Sequence, residues 1–256
     1  MELIDTHCHL TSLGKELPLE DVFRDAFSLQ VKRMVCIGAA EGIQSARDAI
    51  QLAETYPHVW ASAGIHPHDA GDFIAVDGIE ALVAHPRIVA VGETGLDYYR
   101  DWSPFENQRK LFDATIALAK NAQKPLIIHC RDALEDTFAV LLKHNAKDVG
   151  GVFHCYAGDA EFAKRLRDIN FLVSFTGNLT FKKAGALRTA AKDIPLEQIM
   201  LETDCPYLAP EPFRGKTCEP KHVWYTGTAL AELKGVPLEE IARITTETAV
   251  RFFGLT

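Results

Sequence analysis

No C-x-x-C pair occurs among the six cysteines, Cys8, Cys36, Cys130, Cys155, Cys205 and Cys218. They are expected to be reduced thiols of the core, not a disulfide framework. No apolar run approaches the ~18 residues that a membrane span needs. The opening MELIDTHCHL carries acidic and polar residues and lacks a basic stretch followed by an apolar one. No secretory signal is therefore expected, and the expected location is the cytoplasm. Low-complexity tracts, long Pro/Gly/Ser linkers and abrupt composition shifts are also missing, so residues 1–256 read as one domain. The net charge of −8 argues against a broad basic surface gripping a long duplex. It does not exclude a nuclease, because bound dications reverse the sign of the local field in a cleft.

What is present is ordinary in amount and regular in order. Apolar residues make up 47% and charged residues 24% of the chain, as expected of a globular protein with a sizeable core. Short β-rich runs fall at Leu3–Asp5, Arg33–Ile37, Val59–Ala63, Ile88–Val91, Leu126–Ile128, Gly151–Phe153, Phe171–Ser174 and Ile199–Glu202. Between them lie segments with apolar residues at helical spacing: Leu19–Gln30, Ile43–Tyr56, Phe105–Asn121, Ala133–Lys143, Ala160–Asp168 and Leu238–Phe253. Pro18, Pro104 and Pro237 stand where helices are expected to begin. Strands alternating with helices indicate a parallel sheet, and eight strands suit a closed (β/α)₈ TIM barrel. The competing doubly wound sheet usually opens with a glycine-rich loop after its first strand. Here that place holds Asp5-Thr6-His7-Cys8-His9.

Strand after strand runs into a residue that can bind metal or move protons. His7 and His9 follow the first strand, His66 and His68 the third, Glu93 the fourth, His129 the fifth, His154 the sixth and Asp204 the eighth. In a TIM barrel the carboxyl ends of all strands open on one face, where active sites are built. An i, i+2 pair such as His7 and His9 points to one side of a strand. A carboxylate placed like Glu93, directly after a Val/Ala-rich strand, costs several kcal/mol to bury unless it meets a cation. Glu202 and Asp204 raise the same problem together, and one is expected to bind metal and the other a basic side chain. Four histidines and two carboxylates are enough for two divalent ions. Zn²⁺ or Mn²⁺ suits these nitrogen and oxygen donors, and Mg²⁺ is also compatible.

Six segments resemble the TatD-family metal-dependent deoxyribonucleases in order and spacing. They are Asp5-Thr6-His7-Cys8-His9-Leu10, Gly64-Ile65-His66-Pro67-His68-Asp69, Gly92-Glu93-Thr94-Gly95-Leu96-Asp97-Tyr98, His129-Cys130-Arg131-Asp132-Ala133, Phe153-His154-Cys155-Tyr156-Ala157-Gly158 and Leu201-Glu202-Thr203-Asp204-Cys205-Pro206-Tyr207-Leu208. The resemblance implies an amidohydrolase-like barrel in which His7, His9 and Asp204 hold one ion, His129 and His154 hold the other, and Glu93 bridges. It further implies a monomeric enzyme without a membrane partner that cuts phosphodiester bonds of DNA, acting on single strands or 3′ ends. Asp204 and Glu93 are the expected catalytic groups, with Asp204 both ligating and accepting the proton of the attacking water. Because metal-binding imidazoles must be deprotonated, activity is expected to fall below pH ~6.5.

Around this set the sequence leaves choices open. His66 and His68 either touch substrate phosphate or shape their loop. Arg131 is a phosphate contact or pairs with Asp132 or Glu202. Tyr98, Tyr99, Trp102 and Phe105 either stack unpaired bases or pack over the barrel rim. One departure concerns the loop after the last strand, where such proteins commonly carry Arg-Gly-Lys-Arg-Asn-Glu-Pro. This chain has Arg214-Gly215-Lys216-Thr217-Cys218-Glu219-Pro220, so Thr217 and Cys218 replace a pair that would be expected near substrate. A small-molecule amide, ester or phosphoester hydrolase is the alternative activity, because the same ion pair polarises carbonyls. A non-catalytic scaffold would leave the ligand set unexplained.

Overall fold

The computed structural model describes residues 1–71 and 78–255. Among the described residues there are eight strands: β1 (Leu3–Cys8), β2 (Val31–Cys36), β3 (Val59–Ala63), β4 (Ile88–Asp97), β5 (Leu126–Arg131), β6 (Gly151–Phe153), β7 (Phe171–Phe175) and β8 (Ile199–Leu201). They lie side by side in chain order in a single sheet. The α-helices are α1 (Leu10–Leu13), α2 (Leu19–Ser28), α3 (Ile43–Thr55), α4 (Ile79–Val83), α5 (Phe105–Ala122), α6 (Leu134–Lys143), α7 (Ala160–Asp168), α8 (Gly185–Asp193), α9 (Val223–Lys234) and α10 (Leu238–Phe253). The fold is a (β/α)₈ barrel, as the alternation of strand and helix periods predicts. Pro18, Pro104 and Pro237 each stand at the N-cap of α2, α5 and α10, one position before the first turn.

Backbone contacts group the chain into two compact units. The first comprises Met1–Cys36, Cys155–Lys164 and Val173–Thr256. In it β1 pairs in parallel with β2, Asp5 opposite Met34 and Cys8 opposite Cys36, and β7 pairs with β8. The first and last strands of the chain are laced together at their carboxyl ends. The Thr6 hydroxyl donates to the Leu201 carbonyl at 3.0 Å, the Asp204 N–H to His7 O at 2.9 Å and the His9 N–H to Cys205 O at 2.8 Å. The buried Asp5 carboxylate accepts from the Thr203 N–H at 2.9 Å and the Thr203 hydroxyl at 2.6 Å. Burial raises the Asp5 pKa against these hydrogen bonds, so this carboxyl serves the seam and not the solvent.

The second unit comprises Ile37–His154 and Arg165–Leu172. Its strands β3 to β6 pair in parallel, with one irregularity that matters. Gly92 stands opposite Ile127 and Thr94 opposite Ile128, so Glu93 is an extra residue in β4. A bulge of this kind re-aims a side chain and is common beside active sites. Beyond it the ladder resumes, with Gly95 opposite His129 and Asp97 opposite Arg131. Gly95 has φ +141°, and a Cβ there would lie 2.0 Å from the His129 carbonyl oxygen. Glycine is what lets β4 approach β5 closely enough to carry that histidine.

Candidate metal centre

Each unit gathers a triad of side chains that could hold a metal ion, from residues far apart in the chain. In the first unit these are His7, His9 and Asp204. Asp204 Oδ1 lies 3.6 Å from His7 Nε2 and 3.2 Å from His9 Nε2, and the two imidazole centroids are 5.3 Å apart. The β1–β8 lacing sets this geometry, because the same backbone bonds that join the strands place Asp204 beside His7. Asp204 has φ +60°, a left-handed conformation that Asp tolerates better than most residues and that functional sites often use. Its side chain keeps 16% exposure, enough for a water to reach it.

In the second unit Glu93, His129 and His154 form another triad. Glu93 Oε1 lies 2.9 Å from His129 Nδ1, 2.8 Å from His154 Nε2 and 3.4 Å from His66 Nε2. One buried carboxylate oxygen thus faces three imidazoles, a donor set chemically suited to a divalent cation. Burial pushes His66 down to about 4, so this ring is neutral; its Nδ1 accepts from the His68 N–H, which leaves Nε2 to carry the proton toward Glu93.

The tautomer of His129 follows from a residue that sequence reasoning passes over. Asp97, fully buried at the end of β4, lies 2.9 Å from His129 Nε2 and 2.7 Å from His68 Nε2. Burial opposes its charge, but hydrogen bonds from His129, the Arg100 N–H and His68 hold the carboxyl well below its ordinary range. An ionised carboxylate only accepts, so His129 Nε2 carries a proton toward Asp97, and Nδ1 is the nitrogen that faces Glu93 and would offer its lone pair to a bound cation. Burial alone would lower the His129 pKa, and the bonds to Asp97 and Glu93 outweigh it and raise the value. A carboxylate behind a ligating histidine is the usual support of a metal site, and its loss commonly costs 10–100-fold in affinity, as a rough range. Asp97→Asn is therefore expected to weaken Mn²⁺ binding by about 10–100-fold in calorimetric titration of chelator-treated protein. Unchanged affinity would leave Asp97 a packing residue only. The only signal of Asp97 in the sequence is its place in segment 92–98, because the bulge at Glu93 breaks the strand alternation that would mark it.

The choices left open by the sequence resolve unevenly. His68 N–H donates to His66 Nδ1 at 3.1 Å and His68 Nε2 lies 2.7 Å from Asp97, so hydrogen bonds hold both rings in place. Together with His129 they form a further cluster of metal-binding side chains. Glu202 accepts from the Cys155 N–H and the Ser174 hydroxyl, both at 2.6 Å. Arg131 lays its guanidinium on the Tyr99 ring at 3.9 Å. Tyr98 is committed to packing, its hydroxyl on Asp136 at 2.7 Å and its ring against Phe105. Tyr99 and Trp102 stand out at 56% and 65% exposure, and Trp102 lies edge-on to His68 at 4.5 Å. The loop that carries them is fastened by buried Gln108, which accepts from the Asp97 N–H and donates to the Asp97 and Ser103 carbonyls.

Thr217 and Cys218 differ from what their place in the loop suggests. The Thr217 hydroxyl donates to Glu16 at 3.3 Å, while Cys218 is fully buried, with burial pushing its thiol pKa up. Cys218 is thus a packing residue, not a substrate contact. Cys218→Asn is expected to cost about 1–3 kcal/mol in urea unfolding, since a buried amide would have to find new partners. Equal stability of the two proteins would mean that the loop opens to solvent. All six cysteines are free, and Cys130, beside His129, is raised by burial to about 11. Cys8, Cys36, Cys205 and Cys218 are buried, and Cys130 and Cys155 are half-buried.

Residues 4–254 match the family described as TatD related DNase. The chain belongs to the TatD family. It is 44% identical to the uncharacterized metal-dependent hydrolase YabD of Bacillus subtilis, over 98% of this chain and 98% of YabD. It is 32% identical to the 3′-5′ ssDNA/RNA exonuclease TatD of Citrobacter rodentium, over 99% of this chain and 98% of that one. Among solved structures, the TatD homologue YjjV of Escherichia coli has a TM-score of 0.88 at 27% identity, covering 98% of each chain. The TatD family is enzymatic, and this member is a metal-dependent hydrolase. Among its described residues no helix is long and apolar enough to cross a membrane.

Proposed function

We propose that this hydrolase cuts phosphodiester bonds of DNA, removing nucleotides from single strands or 3′ ends with two divalent cations. The observation that carries the reading is the pair of His/carboxylate triads, His7-His9-Asp204 and Glu93-His129-His154. Each offers two imidazoles and one carboxylate, the donor set of a hydrolytic metal site. When bound, such cations neutralise phosphate oxygens and lower the pKa of water.

The protein's own groups then have defined tasks. Asp204 takes the proton of the attacking water, which its partial exposure allows. Asp97 fixes the His129 ring so that Nδ1 is presented to the ion. His66, His68 and Arg131 steady the substrate phosphate, and exposed Tyr99 and Trp102 offer faces on which unpaired bases stack. The activity for which the Citrobacter relative is named, on single-stranded DNA and RNA, agrees with a substrate whose bases are unpaired.

A digestion panel tests this reading. Single-stranded DNA, RNA and a p-nitrophenyl ester are incubated with the protein and Mn²⁺, Mg²⁺ or a chelator. Release of mononucleotides from single-stranded DNA, abolished by chelator, is the expected result. Hydrolysis of the ester with no digestion of either nucleic acid would make the protein a small-molecule hydrolase.

A further inference from the structure

An open cleft of about 730 Å³ in the first unit is lined by none of the triad residues. Its charged and aromatic lining comes from two loops, and Ala157, Ala186 and Leu187 complete the walls. The loop after β7 supplies Asn178, Phe181, Lys182 and Lys183, and the loop after β8 supplies Glu211 and Arg214. The loops are built to stay together. The Glu211 N–H donates to the Thr180 hydroxyl at 2.9 Å, and the Arg214 guanidinium lies 3.8 Å from the Phe181 ring centroid. A Cβ on Gly177 would fall 2.4 Å from the Leu208 carbonyl oxygen, so the backbones meet where only glycine fits. Arg188 holds the Phe181 carbonyl from beneath at 2.6 Å.

The charge of this cleft runs against that of the chain. Lys182, Lys183 and Arg214 face a single acid, Glu211, in a protein of net charge −8. Among the described residues none of the three cations is held in an ion pair, while Lys221, Arg165 and Arg243 elsewhere each meet an acid. Three cations beside one acid leave the cleft net positive, and a bound anion relieves that cost. Loops after the seventh and eighth strands are also where TIM barrels frequently build phosphate sites.

We infer that this cleft binds a backbone phosphodiester of the single strand, apart from the one that is cut, with a base stacked on the Phe181–Arg214 face. A backbone segment fits better than a lone anion, because three cations line the cleft and one of them lies over an aromatic ring. The inference rests on the nucleic-acid reading above and adds a second, metal-independent grip on the strand. Such a grip would favour polynucleotides over mononucleotides and small esters.

Binding, not cutting, is the test. Chelator-treated protein is titrated into fluorescein-labelled oligothymidylate of roughly 12 nucleotides, and anisotropy is followed across a range of KCl. Lys182→Ala with Lys183→Ala and Arg214→Ala is expected to weaken binding by about tenfold or more at moderate salt. Its log–log salt slope is expected to fall by about 0.7 for each phosphate that the variant no longer neutralises. Glu211→Gln is expected to do the opposite and tighten binding. Circular dichroism checks that both variants are folded. Wild-type binding that neither variant alters in strength or salt slope would overturn the cleft and leave the proposed activity standing. No binding of the oligonucleotide by the wild-type protein, with or without Mn²⁺, would overturn both. Equal affinity for inorganic phosphate and for the oligonucleotide would overturn the strand-binding role and reduce the cleft to a simple anion site.

Discussion

Asp204→Asn is expected to lower phosphodiester turnover by about 10²–10⁴-fold at saturating Mn²⁺, in protein that is still folded. The side chain faces two imidazoles through Oδ1 and keeps enough exposure to meet water. Asparagine preserves its shape and one oxygen but carries no charge and accepts no proton. It loses both the ligand strength and the general base, and the two losses multiply. A merely structural Asp204 would behave otherwise: its backbone bond to His7 would persist, and any change would register in stability, by about 1–3 kcal/mol. Turnover per folded, metal-loaded molecule separates the cases. A fall of less than about tenfold, below the usual general-base contribution, would remove Asp204 from the chemistry.

Glu93→Gln is expected to weaken metal binding by more than about 100-fold, beyond the loss typical of a supporting carboxylate. It also carries a sign test. Glu93 is 2% exposed and aims one oxygen at His66, His129 and His154. Without a cation, a charge buried in that position costs free energy that its imidazole neighbours offset only in part. The metal-free Gln variant should therefore unfold at the same urea concentration as the metal-free parent or a higher one. The metal-loaded parent should outlast both, because a ligand bound only by the folded state stabilises it by mass action. Equal metal affinity, together with a less stable metal-free variant, would mean that Glu93 is an ordinary salt-bridged core residue.

These residues are legible in the sequence because chemistry at strand ends breaks the apolar pattern. His7, His9, Glu93, His129, His154 and Asp204 each interrupt a β-rich run, and a barrel converts such interruptions into one kind of position. What the pattern hides is what happens after the interruption. The apolar stretch of β4 stops at Val91, and Gly92-Glu93-Thr94-Gly95 reads as a turn, yet the strand continues to Asp97. It continues because the bulge at Glu93 restores pairing with Ile128 through Arg131, a long-range register that no local spacing reveals. Asp97 escapes notice for that reason. Helix α9 escapes for a different one. Its sequence VWYTGTALAELK buries Val223, Thr226, Gly227, Leu230 and Ala231, and it has no clean polar face to mark a helical period. The small residues of α8 likewise give little periodic contrast. Glu202 shows the limit for charges: burial demands partners, and a backbone N–H and a serine hydroxyl are two that no local spacing announces.

Metal content of the folded protein is the most direct measurement of whether the two triads are metal sites. Protein prepared without chelator, loaded with Mn²⁺ or Zn²⁺ and freed of excess ion by gel filtration, is analysed by plasma mass spectrometry against its concentration. Two ions per chain are expected, one for each triad. A ratio near zero after loading with either metal would contradict the reading of both triads as metal sites, and with it the proposed chemistry.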